Sequence, residues 1–334
     1  MSGKKKLKTA ILGFGGMGHH HGAEYAGQKD IELVAVCDVD PKRLDGAGVA
    51  INLGTSRDTD MSKVQTFTCY EDLRKGVPDL DCLDVCLPTY LHCKYAVRAM
   101  QDGLNVLCEK PMALNVRDCD KMIAAQRATG KILMIAQCLR FSEEYELIRQ
   151  AVKSGKYGKL LRLDLRRNAN TPPNWFQDHK LSGGAILDLH LHDVDYLVSL
   201  LGKPRAVSAH GFPLVSGGID DVIASFQYPG GAVVTAEGSW TRANFSATAV
   251  AVFAKGTLEI GGGGVTLRRP DTSVTKLKTP GKGSMYFNEI AYFAACVKQG
   301  KQPERALPTS TRDSVALVEK ERLSARGHGK AVKV

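Results

Sequence analysis

The segment Thr9-Ala-Ile-Leu-Gly-Phe-Gly-Gly-Met-Gly sets three glycines, Gly13, Gly15 and Gly18, as GxGxxG behind the apolar run Leu7 to Leu12 and at the mouth of a helical stretch. In a βαβ unit the first glycine makes the tight turn and the second lets a pyrophosphate reach the backbone. The third lets helix and strand pack closely. The spacing is therefore the fingerprint of a dinucleotide-binding parallel sheet, and Phe14, Gly16 and Met17 fall inside the same loop. A second strand, Leu33 to Cys37, ends in Asp38, twenty residues beyond Gly18. That is the separation expected of the carboxylate that accepts hydrogen bonds from the adenosine ribose hydroxyls. It repels a 2′-phosphate, so NAD is predicted over NADP, with Lys42 and Arg43 able to soften the choice. His19, His20 and His21 follow the glycines on the predicted helix. Consecutive helical residues point in different directions, so they are read as helix-surface histidines in preference to a metal cluster.

Beyond the fingerprint, short β-branched runs alternate with helical stretches, the pattern of βαβ units. Strands are predicted at Leu7–Leu12, Leu33–Cys37, Cys82–Cys86, Asn105–Cys108 and Ile132–Ile135. The helices between them include His19–Gly27, His92–Asp102 and Val116–Thr129. After about residue 137 the texture changes to a helix at Glu143–Ser154, another at Gly184–Leu201, and then strands without intervening helices from Ala206 to Arg268. A helix pair, Ser284–Lys298 and Ser310–Ala325, follows. The expected fold is α/β: a Rossmann domain over 1–137, and over 138–334 an α+β domain with a large, mostly antiparallel open sheet.

The length, 334 residues, agrees with two domains. Apolar stretches fall well short of the ~20 residues a membrane-spanning helix needs. The basic start runs into a glycine-rich segment, unlike a signal peptide. Nine cysteines, scattered through apolar segments without CxxC pairs, read as buried thiols in a reducing compartment, and no metal site is expected. These features predict a cytoplasmic protein. The net charge of +10 raises the question of nucleic acid. Dense basic residues occur only at Lys4, Lys5, Lys6 and Lys8, a solvated tail, so no nucleic acid is expected, and anionic small molecules or phosphorylated metabolites fit the charge equally well.

Further motifs stand in order along the chain: Leu87-Pro88-Thr89-Tyr90-Leu91-His92 behind the third strand, Cys108-Glu109-Lys110-Pro111 closing the fourth, Gly183-Gly184-Ala185-Ile186-Leu187-Asp188, and His192-Asp193-Val194-Asp195. With the glycines and Asp38 they resemble the glucose-fructose oxidoreductase, inositol dehydrogenase and MocA family (Gfo/Idh/MocA), from Leu7 onward. The resemblance implies a substrate held between the two domains and an open sheet that builds a homodimer or homotetramer. It also implies acid/base roles for Lys110, Asp188 and His192. His190 stands where many members have a small residue, and Gln137-Cys138-Leu139-Arg140-Phe141 follows the family's polar-Arg-Phe segment only in part.

The residue chemistry is compatible with these roles. Oxidising an alcohol needs a group to take the hydroxyl proton, and histidine titrates near working pH. On one predicted helix Asp188, His192 and Asp195 share a face, so the carboxylate would orient the imidazole. Lys110 sits at a strand's carboxyl end, where open α/β sheets place ligands. Pro88, Thr89, His92 and Glu109 are expected to line the cofactor pocket, and Arg140 and Trp175 the substrate. Strands from Ala206 to Arg268 look apolar enough to want cover on both faces, a second argument for a homo-oligomer. The expected activity is NAD-dependent oxidation or reduction at a secondary hydroxyl or keto group of a sugar, inositol or related polyol. Net non-redox chemistry with recycled NAD, or a cofactor-binding sensor without turnover, are the alternatives.

Overall fold

The computed structural model describes residues 5–48, 50–51, 54–55 and 57–334. Lys4 lies outside them. Of the basic start, Lys6 donates to the Gln28 carbonyl and Lys8 pairs with Asp79. The chain divides into two units. The first runs up to Gln137 and includes Tyr286–Arg312; the second comprises Cys138–Met285 and Asp313–Val334. The boundary at 137 coincides with the change of sequence texture, whereas 286–312 packs with the first unit.

In the first unit β1 (Leu7–Leu12) leads into α1 (Gly16–Tyr25) and β2 (Ile31–Cys37). A small hairpin follows, β3 (Ala50–Ile51) and β4 (Gly54–Thr55). Then come β5 (Gln65–Phe67), α2 (Tyr70–Gly76), β6 (Cys82–Val85), α3 (Thr89–Gln101), β7 (Asn105–Glu109), α4 (Val116–Thr129) and β8 (Leu133–Ala136). Six strands pair in the order β5-β2-β1-β6-β7-β8, all parallel. The central strands are apolar runs because helices cover both faces; β6 and β8 are buried at every position. α4 shows how locally the sequence sets its limits: Asn115 accepts from the Asp118 N–H at the start, and Gly130, at φ 66°, ends it. The order reverses between β1 and β6, so the loops after these strands open the crevice where such sheets take ligands. β5 and α2 escaped the sequence reading, since Gln65-Thr66-Phe67 has no apolar run.

The second unit begins with α5 (Glu143–Ser154), β9 (Leu160–Asn170), α6 (His179–Ser182), α7 (Ala185–Asp188) and α8 (Leu191–Leu201). The strands β10 (Ala206–Phe212), β11 (Asp221–Gln227), β12 (Val233–Ser239), β13 (Thr241–Phe253), β14 (Gly256–Gly261), β15 (Gly264–Arg268) and β16 (Val274–Leu277) follow. After α9 (Met285–Gln299), which from Tyr286 on belongs to the first unit, and α10 (Pro308–Arg326), β17 (Val332–Lys333) joins the edge of this sheet. The nine-stranded order is β16-β15-β14-β13-β9-β12-β11-β10-β17, antiparallel except for β9 with β12.

Two expectations need correction. The strands are not apolar on both faces: β11, β14 and β15 alternate cleanly, with Val222, Ala224 and Phe226, or Leu258 and Ile260, buried on one face only. The other face carries Arg166 with Glu237, Thr235 with Asp164, and Arg268 with Glu259, among exposed Ile223 and Val233. Nor is Gly184–Leu201 one helix. The His190 N–H reaches back five residues to the Ala185 carbonyl, and the Asp193 N–H only three, to His190. This turn sends the His190 ring into the core, where a Cβ on Gly238 would lie 2.5 Å from the His190 Cβ.

Among the described residues, no helix is long and apolar enough to cross a membrane. All nine cysteines are free.

Candidate active site

Each fingerprint glycine has its own reason. Gly13 adopts φ 93°, and a Cβ there would meet the Cys86 carbonyl carbon and oxygen at 2.8 Å, so the turn after β1 touches the loop after β6. Gly18 packs α1 on that turn, its virtual Cβ only 2.1 Å from the Gly13 oxygen. Gly15 is different: the nearest atom to its virtual Cβ is Arg43 Nη1, at 3.5 Å. Among the described residues nothing forbids a side chain at Gly15, so the open cradle is what a pyrophosphate needs, at the first turn of α1 where Gly16 and Met17 are half-buried. Phe14 is fully buried and stacks on His19. Asp38, at the end of β2, accepts from the Phe14 N–H at 2.8 Å and the Asp40 N–H at 2.9 Å. Arg43 lies 3.6 Å from the same carboxylate, the cation through which NADP tolerance would act. These residues fit a dinucleotide whose ribose hydroxyls meet Asp38.

At the ends of β6 and β7, Pro88 precedes the first turn of α3, where Thr89 is buried. His92, one turn further, is also buried, its Nε2 2.7 Å from the Leu87 carbonyl oxygen and its Nδ1 2.7 Å from that of Pro111. Burial holds its pKa below the ordinary value, against the pull of both carbonyls. His92 is thus a buried tie between two loops more than a pocket-lining surface. Lys110 is half-buried at the carboxyl end of β7, its N–H donating to Glu109 Oε2 at 3.0 Å, and the Lys110–Pro111 peptide is cis.

Behind Lys110 lies a cluster the sequence reading missed. His19 and His21 are fully buried, not on the helix surface. His21 Nδ1 bonds Asp84 Oδ2 at 2.9 Å, and Tyr25 donates to the same oxygen. Its Nε2 makes an off-axis ion pair with Glu109 Oε1 at 3.0 Å, and Glu289 Oε1 stands 3.9 Å away. Burial alone would lower the His21 pKa, yet Asp84 and Cys86 carry it well above its usual range. Glu109 is held below the ordinary carboxylate value: burial works upward, and the His21 contact outweighs it. Glu289 is pushed well above its own by burial and by Glu109 and Asp84, against the pull of His21. The available hint was Asp84, a carboxylate inside a fully buried central strand, which never stands there unpaired.

In the second unit the DxxxHxxD motif splits. Asp188, nearly buried, ends α7, and His192, half-buried with Nδ1 3.8 Å from Cys138 Sγ, lies in the first turn of α8. The two are on successive helical segments, not one. Asp195 is no part of an acid/base face: it takes Arg140 Nε and Nη2 in two bonds of 2.7 Å and accepts from Ser314. Arg140, expected at the substrate, is buried and spends its fork on this pair. Asp193, also buried, makes the equivalent pair with Arg167 of β9. His190 faces Glu321 at 3.0 Å, both fully buried, which makes it a core residue. Trp175 stacks on Phe176 at 3.9 Å, and Phe176 in turn meets buried Trp240 edge-on.

Residues 7–137 match the sequence profile of the GFO/IDH/MocA oxidoreductase family, NAD-binding Rossmann fold, and residues 145–259 that of the GFO/IDH/MocA C-terminal domain. Scyllo-inositol 2-dehydrogenase (NAD(+)) of Bacillus subtilis (strain 168) is 26% identical over 317 residues, covering 89% of this chain and 88% of that protein. A 2,7-anhydro-N-acetylneuraminate hydratase of Mediterraneibacter gnavus is 29% identical over 212 residues, 62% of this chain and 53% of its own. The structure of levoglucosan dehydrogenase with NADH and L-sorbose superposes with a TM-score of 0.85 over 99% of both chains at 17% identity, a likeness of fold. With both profiles matched in chain order, and a glycine cradle and ribose carboxylate that suit the cofactor, this chain is a member of the GFO/IDH/MocA family of NAD-binding oxidoreductases.

Proposed function

We propose that the protein transfers a hydride between NAD and a secondary hydroxyl or keto group of a sugar, inositol or related polyol. The observation that carries this reading is Lys110, set at the carboxyl end of β7, the second strand beyond the glycine turn, in an NAD-binding unit. Bound NAD supplies the hydride acceptor or donor. The Lys110 ammonium binds the substrate oxygen and helps move its proton. His192 takes that proton, and Asp188 orients the imidazole and steadies its cationic form. Trp175 and Phe176 offer an aromatic face to an apolar sugar face. The test is a screen of inositols, aldoses and sugar acids for NADH formation. No turnover of any of them would overturn the assignment.

One observation favours a second reading: a relative is named a hydratase, a reaction without net redox change. Accumulation of free NADH separates the two, since recycled nucleotide leaves none. We further propose a homodimer or homotetramer built on the outer sheet face, where Ile223 and Val233 are half exposed. Nine free thiols support a reducing, cytoplasmic location.

A further inference from the structure

Lysine is a poor choice for a group that must be placed accurately, because four flexible bonds separate its ammonium from the chain. Whatever fixes the start of that stem therefore matters. Two buried histidines contact the residues that flank Lys110 in the chain, one before it and one after. On one side His21 holds the Glu109 carboxylate by Oε1 at 3.0 Å, while the other oxygen of that carboxylate accepts the Lys110 N–H, also at 3.0 Å. On the other side His92 Nδ1 lies 2.7 Å from the carbonyl oxygen of Pro111, the residue after Lys110. His21 is anchored in turn to the strand at the switch point by Asp84 of β6, and the ring of His92 sits between the Pro111 carbonyl and the Leu87 carbonyl just beyond that strand, its single N–H donating to one of the two in each tautomer. We propose that His21 and His92 are positioning residues for Lys110, gripping the Glu109–Lys110–Pro111 turn and registering it against β6. This rests on Lys110 acting in proton transfer, as argued above.

The His21, Glu109 and Glu289 donor atoms also lie close enough together to surround a cation. The charges favour the grip. Both ring nitrogens of His21 already face carboxylate oxygens, Asp84 Oδ2 at 2.9 Å and Glu109 Oε1 at 3.0 Å, which leaves neither with a free lone pair for a cation.

The experiment is a double-mutant cycle. His21→Gln, His92→Gln and the isosteric Glu109→Gln are made in the native chain and in Lys110→Ala. For each, kcat is measured on the polyol or sugar with the highest turnover in the screen, with the NAD dissociation constant and melting temperature alongside. In the native background each variant is expected to lower kcat by about 10- to 100-fold, the scale of a misplacement near 1 Å, with NAD affinity within about twofold. In Lys110→Ala the further loss should shrink below about twofold, because the residue they position is gone. If a histidine variant does not fold, Glu109→Gln carries the same test. Losses that multiply in the Lys110→Ala background, or an unchanged kcat in all three variants, overturn the positioning role alone. Near-native turnover of Lys110→Ala itself overturns the catalytic reading and the grip with it. One equivalent of divalent metal in the purified protein, lost in Glu289→Gln, would assign the cluster to a cation and overturn the proposal.

Discussion

Gly15 and Gly18 stand three residues apart in one motif, yet they should fail in different ways when changed to alanine. At Gly18 the new Cβ would lie 2.1 Å from the Gly13 oxygen and 3.1 Å from its carbon, both backbone atoms of the turn that carries the motif. Neither can rotate away, so α1 must lift off β1 by about 1 Å, an overpacking cost of about 3 kcal/mol. For a domain of this size that lowers melting by about 6–12 °C. At Gly15, with φ −84°, the Cβ meets only the mobile tip of Arg43 at 3.5 Å. Its cost to the apo protein is at most the loss of a glycine N-cap, about 1 kcal/mol or less. Gly15→Ala instead fills the space through which the pyrophosphate reaches the backbone and should weaken NAD binding by about 10- to 100-fold, or about 1.4–2.8 kcal/mol. Thermal unfolding without and with NAD reads both effects, since ligand at 100 times its dissociation constant adds about 2.7 kcal/mol to the native state. Gly18→Ala should melt early without ligand. Gly15→Ala should melt near the native temperature and lose most of the shift that NAD confers. Native-like NAD affinity in Gly15→Ala, or an apo melting point of Gly18→Ala within about 2 °C of native, would refute the division of roles.

Lys110→Ala and His192→Ala should each lower kcat by about 100-fold or more while NAD still binds, with Asp188→Asn milder; near-native turnover in both alanine variants sinks the assignment. Asp38→Ser should narrow the preference for NAD over NADP in paired titrations, and an unchanged ratio would move the ribose contact elsewhere. The folded pKa of His21 is raised, so its stabilisation is complete below its unfolded value of 6.5 and is lost as pH rises through the folded one. The deficit of His21→Gln in urea midpoint should therefore be widest on the acid side and narrow at alkaline pH, and a pH-independent deficit contradicts this. Light scattering should give a mass at least twice the 36.1 kDa of the chain, reduced by Val233→Glu, and a monomeric native species rules out the sheet-face assembly.

The parallel sheet was legible because its information is local. GxGxxG, β-branched runs and the Gly130 helix end each specify backbone geometry within a few residues, and β1, α4 and α5 fall where the pattern put them. β5 was not legible, because Gln65-Thr66-Phe67 is held by pairing to β2 rather than by its own composition. The apparent two-sided apolarity of the second sheet came from counting apolar residues without fixing register. Alanine and valine runs such as Ala249–Phe253 look two-sided until strand pairing turns Val250 and Val252 outward beside Arg162 and Asp164 of β9.

For the site, the distinction between chemistry and scaffold was what the sequence lacked. Asp188, His192 and Asp195 at helical spacing looked like one acid/base face, yet a turn at Leu189 and His190 separates the first two, and Asp195 belongs to Arg140. Spacing carries no record of partners that arrive from far along the chain, and Arg140 and Ser314 are such partners. The same holds for His21, whose burial depends on Asp84, Glu109 and Glu289 from three other elements. A carboxylate in a buried strand does demand a partner, because an unpaired charge there costs several kcal/mol. Asp84 thus announced that some cation would be found beneath β6. Of the three consecutive histidines on α1, His21 is the one that meets it, and the same ring faces Glu109, so the two anomalies, joined, place a charged core beside the residue that precedes Lys110.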